Sequence, residues 1–145
     1  MKAKDYLSKY MKLKSDIVFY ETMKNEAIYN VAGYKSPSLE NDGGSHSVKD
    51  DPIGNLVIEL EKEIAKYDIH IIACKAQMAL MDKQLSGMLE VDSEFYKLLV
   101  YKYKVGLSWQ DIADKMYKSY SAVTHLHGPA LKKFDELYGD SYRNY

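Results

Sequence analysis

From Ile53 to Met88, apolar residues recur at alternating steps of four and three without a break: Ile53, Val57, Leu60, Ile64, Tyr67, Ile71, Cys74, Met78, Met81, Leu85 and Met88. That is a seam sustained over five heptads. Only a long α-helix places such residues on one stripe, because a strand would scatter them over both faces. Asp51 is a natural N-cap, and Pro52 suits the first turn. Ile69 and Ile72 widen the seam, as a helix needs when more than one partner packs on it. Residues 52–90 are therefore expected to be a coiled-coil helix that holds copies of the chain together, as a homodimer.

The segment before it reads as a partner helix. Residues 1–32 place Tyr6, Tyr10, Leu13, Ile17, Tyr20, Ala27 and Val31 on one stripe, interrupted at Lys24. Residues 33–51 lack periodicity and are dominated by Gly, Ser, Pro, Asn and Asp, the composition of a flexible linker. A linker between two long amphipathic helices permits an antiparallel hairpin.

Composition narrows the class further. The 145 residues are 46% hydrophobic and 28% charged, so the chain can build a core. A single cysteine, Cys74, excludes an internal disulfide framework and a cysteine-rich zinc site. No apolar run approaches the roughly 20 residues of a membrane span. The lysine-interrupted start does not read as a signal peptide. The expected location is the cytoplasm, without membrane attachment. Charge is uneven. Residues 1–32 carry six lysines against four acids, and residues 33–94 carry six against twelve. Residues 95–145 carry eight basic residues against five acids. A basic C-terminal third behind an acidic middle suggests separate tasks.

That third has its own punctuation. Asp92 or Ser93 caps a helix whose apolar side is Phe95, Leu98, Leu99, Tyr101 and Tyr103. After Gly106, Ser108 caps a short helix bearing Trp109, Ile112, Ala113 and Met116, with Asp111 at the capping-box position. Ser119 caps another, with Val123, Leu126, Leu131 and Phe134 facing inward. Two short helices across a tight turn form a helix-turn-helix. The expected fold is all-α: a long helical hairpin or coiled coil, then a three-helix helix-turn-helix module at residues 92–138, then a tail at 139–145.

The stretch from Gly106 to Phe134 resembles the helix-turn-helix of sigma factor region four. The residues that carry the likeness are Gly106-Leu107-Ser108, Trp109, Ile112-Ala113, Met116, Ser119, Val123, Leu126 and Ala130-Leu131-Lys132-Lys133. Over nearly its full length, the chain resembles the ArpU/RinA-type phage transcriptional regulators of low-GC Gram-positive bacteria. The resemblance implies a DNA-binding activator of phage or prophage late genes, with double-stranded DNA and host RNA polymerase as partners.

In a helix-turn-helix, the start of the second helix enters the major groove. The outward positions there are Ser119, Tyr120, Ser121, Thr124 and His125. Lys118, Lys132 and Lys133 are placed for phosphate. The only arginine, Arg143, lies outside the motif, so readout of guanine by a bidentate Arg is not expected. Pro129 is expected to kink the recognition helix, or to end it and start another, and the reach of Lys132 and Lys133 depends on which. His125 and His127 are two apart and diverge around a helix, so they do not form a metal pair. No glycine-rich phosphate loop, metal-ligand cluster or nucleophile–base pattern marks an enzyme, and no cofactor is implied. Two other readings stay open: a small terminase-like DNA-packaging protein, and a coiled-coil interaction protein without DNA binding.

Overall fold

The computed structural model describes residues 1–35 and 51–143. They form five α-helices and no strand: α1 (Ala3–Lys35), α2 (Pro52–Val91), α3 (Ser93–Leu99), α4 (Trp109–Met116) and α5 (Tyr120–Tyr138). A π-helical stretch, Val100–Val105, follows α3, and a 3-10 turn, Gly139–Ser141, follows α5. Among the described residues, no helix is long and apolar enough to cross a membrane.

The helix starts follow the sequence chemistry. Asp51 Oδ1 accepts from the Gly54 amide at 3.0 Å, and Asp92 Oδ1 accepts from Glu94 and Phe95 at 3.0 and 3.1 Å. Two boundaries differ from expectation. Helix α1 runs through Gly33 to Lys35, into the segment expected to be linker. One glycine costs a helix interior only about 1 kcal/mol, too little to stop it alone. The rest of that expected linker, residues 36–50, and the last two residues of the expected tail lie outside the described residues.

The second difference is at Pro129. It does not end the helix; α5 is continuous from Tyr120 to Tyr138 with the proline inside. Gly128 precedes it, and the missing Cβ removes part of the clash that a proline ring makes with the residue before it. Burial on both sides adds to this. Val123 before the proline, and Ala130 and Phe134 after it, are fully buried, so one core anchors both halves.

The chain divides into two compact units, Met1–Ser15 with Lys75–Tyr145, and Asp16–Cys74. The first unit is built around one core. Leu7 of α1, Met81, Leu85 and Met88 of α2, Leu98 and Leu99 of α3, Ile112 of α4 and Phe134 of α5 are essentially inaccessible. Tyr6 stacks on Tyr142 with ring centres 4.3 Å apart. Its hydroxyl donates to buried Gln84 at 2.6 Å, and Gln84 Nε2 donates to Ser141 Oγ at 3.0 Å. Ser141 in turn donates to the Tyr138 carbonyl at 2.7 Å. The one buried polar side chain among the described residues, Gln84, is thus partnered at both its oxygen and its nitrogen, as a low-dielectric interior requires.

In the second unit, α1 and α2 run antiparallel. Tyr20 stacks on His70 at 4.7 Å, and Lys24 pairs with Asp68 at 2.5 Å. Among its described residues, only Ala27, Val57 and Ile71 are buried. The seam residues expected to join two copies are thus largely engaged inside one chain. Val57 and Ile71 are buried in the second unit, and Met81 and Leu85 in the core of the first. Leu60, Ile64, Tyr67 and Met78 are half-buried, and Ile53 is exposed.

Candidate nucleic-acid interface

The C-terminal face is set up by two serine caps and one strained residue. Ser108 Oγ accepts from the Asp111 amide at 3.2 Å to start α4, and Ser119 Oγ accepts from the Ala122 amide at 3.1 Å to start α5. Between them, Tyr117 adopts the left-handed conformation, with φ 55°. The Lys118 amide bonds to the Ala113 carbonyl at 3.0 Å, and the Tyr117 amide to Asp114 at 3.3 Å. This is a Schellman closure, a position where glycine is usual and a bulky residue is strained. Tyr117 is also 96% exposed, so no packing explains its size. Nothing in the sequence pattern singled it out.

Helix α5 then has two sides. Val123, Ala130 and Phe134 face the core. Tyr120, Ser121 and His125 are exposed, and Thr124 is half-buried. The Thr124 hydroxyl donates to the Tyr120 and Ser121 carbonyls at 3.1 and 3.0 Å. With its hydroxyl proton so engaged, the side chain keeps its methyl for apolar contact. Ser121 Oγ lies 3.4 Å from His125 Nδ1, leaving Nε2 for a further partner. Because α5 is uninterrupted, Ser121, His125, Gly128 and Lys132 follow a 4,3,4 spacing and lie along one exposed face.

The three lysines expected at phosphate differ in availability. Lys118 pairs with Glu94 at 3.1 Å, and Lys133 pairs with Glu136 at 3.6 Å. Lys132 is exposed and has no ion pair among the described residues. Lys133 lies about 100° around the helix from Lys132, away from the Ser121–His125 line. Since α5 runs on past Pro129, Lys132 stands on the same exposed face as Ser121 and His125.

His127 turns away from His125, as their spacing requires. Its Nε2 lies 2.6 Å from the Tyr103 hydroxyl, and the Trp109 ring meets it edge-on at 4.6 Å. Lys102 Nζ sits 4.5 Å above the same Trp109 ring. Burial, then the charges of Lys4 and Lys102, push the imidazole below its ordinary value. Burial, with a smaller contribution from Asp5, raises the Tyr103 phenol to about 12. Among the described residues, no three His, Cys, Asp or Glu side chains gather where a metal ion could be held.

No protein-family model matches the chain, and no curated protein or solved structure matches it.

Proposed function

We propose that the chain is a sequence-specific DNA-binding transcriptional regulator of the ArpU/RinA kind. In this reading α4, the Tyr117 turn and α5 are the helix-turn-helix, and α5 is the recognition helix. The observation that carries it is the two-sidedness of a Ser119-capped α5. One side is locked into a core, and the other offers Tyr120, Ser121 and His125 to solvent with Lys118 at its start. A recognition helix needs both properties, because base edges discriminate only when the helix that reads them is rigidly placed.

The same reading makes the protein a homodimeric activator of phage or prophage late genes that works with RNA polymerase. What supports dimerisation is a second apolar line on α2, Ile58, Ala65, Ile69 and Ile72, at spacings of seven, four and three. Ile58 is 51%, Ile69 66% and Ile72 67% exposed. A second copy takes this line, since the first seam is engaged within the chain.

The test begins with selection of duplexes from a random library, followed by affinity measurement on the selected and on random sequences. Thr124→Ala and His125→Ala each cost about 1–3 kcal/mol on the selected site and little on random DNA. Failure of the wild type to enrich any sequence sinks the regulator reading. A ring-sized native mass would favour a packaging protein instead.

A further inference from the structure

Within the first unit, the fold brings the start of α1 beside the later part of α5. A shallow open groove there is lined by Lys2, Lys4, Asp5, Lys132, Asp135 and Arg143. Arg143 is held by Asp135 at 2.7 Å and Asp140 at 3.3 Å, so its charge is answered locally. Lys2, Lys4 and Lys132 are exposed and have no ion pair among the described residues. Against them stands only Asp5. The surplus is two positive charges, carried by lysines drawn from opposite ends of the sequence.

We propose that this groove binds the DNA phosphate backbone, with Lys2 and Lys4 joining Lys132 to extend the footprint of α5 beyond its N-terminal turns. The inference rests on the DNA-binding reading and adds residues that the helix-turn-helix motif does not contain. Geometry favours this occupant. Lys132 shares the exposed face of α5 with Ser121 and His125, about 16 Å beyond the first and about 10 Å beyond the second at 1.5 Å per residue. The major groove is about 12 Å wide. A helix whose first turns meet base edges therefore reaches the bordering phosphates near Lys132. Lysine is a mobile point charge that attracts phosphate without reading sequence. An open groove lined by separated lysines suits a continuous strand better than a small anion, which needs convergent donors. Gly128 adds clearance on the same face, since no side chain stands between His125 and Lys132 along it. The charge of Lys4 is also felt at His127 of α5, which agrees with its lying close to that helix.

The experiment is a salt titration of full-length protein on a 30-base-pair random duplex, followed by fluorescence anisotropy. Lys2→Gln with Lys4→Gln should flatten the plot of log affinity against log salt by about two units, and Lys132→Gln by about one. Affinity at 0.1 M salt should fall about tenfold per lysine. Lys4→Arg should keep the wild-type slope, which separates charge from packing, and Lys62→Gln on α2 should change nothing. Thermal melts of each variant check that the fold is intact. A double variant with the wild-type slope and affinity overturns the groove and leaves the regulator reading standing. A wild type that binds no duplex overturns both.

Discussion

The two units use the same helices to opposite effect. In the first, α1 and α2 are joined by α3, α4 and α5, and residues from all five helices are fully buried in one cluster. In the second, the same two helices have only each other among the described residues, and burial falls to Ala27, Val57 and Ile71. A pair of helices can hide only the stripe along their contact, so the flank of each stays wet. The apolar flank of α2 is the consequence: Ile69 and Ile72 are about two-thirds exposed. One region is a finished core that holds α5 steady. The other is a layer whose apolar flank stays in water.

Equal chemistry in the two regions gives the sharpest way to break this comparison. Leu98 is inaccessible in the core, while Leu60 is half-buried between two helices. Leu98→Ala should cost about 3–5 kcal/mol, because its closely packed surroundings cannot collapse into the vacancy. Leu60→Ala should cost about 1 kcal/mol, since its surroundings are fewer and water is near. Urea unfolding followed by circular dichroism measures both. Equal losses would mean that the second unit is as well packed as the first.

The next effect concerns the exposed line on α2. Ile69→Lys with Ile72→Lys should raise the dimer dissociation constant about 100-fold or more, roughly 3 kcal/mol, and leave the helix content of the monomer unchanged. Ile71 lies between them but is buried within the chain, so Ile71→Lys should unfold the second unit instead. Sedimentation of the double variant and the wild type decides the matter. A wild type that is monomeric at micromolar concentration removes the partner from the comparison.

These contrasts show which features could be read from the residues. Local signals survived: Asp51, Asp92, Ser108 and Ser119 all cap where their types and positions say they should. Caps act over three residues, so no distant part of the chain can overrule them. The all-helical class followed for the same reason, from a period that only a helix satisfies. What the pattern could not supply was tertiary. The heptad seam looks the same whether its partner is α1 or another copy. Pro129 carries a local penalty, and the burial of Val123 on one side and Phe134 on the other outweighs it. Lys2 and Lys4 gave no signal, because their neighbour Lys132 lies at the far end of the sequence. Tyr117 was invisible for a different reason, since its type argues against the left-handed turn it occupies.

The smallest expected effect lies within the core-bearing unit, at His127. Burial and the charges of Lys4 and Lys102 hold its imidazole below the ordinary value, while Tyr103 and Trp109 fill the space around it. In the unfolded chain the same group protonates near pH 6.5. The native state therefore resists a proton that the unfolded state accepts. Its contribution to stability is whole above about pH 6.5 and is lost as pH falls through the depressed native value. The wild type should lose stability progressively as pH falls below about 6.5. His127→Gln keeps a polar group beside the Tyr103 hydroxyl but cannot titrate, so its stability should vary less over that range. Urea midpoints at half-unit pH steps give the comparison. Parallel curves for the two proteins would show that the His127 environment is as open to water as the layer between α1 and α2, and the contrast between the two units would lose its electrostatic part.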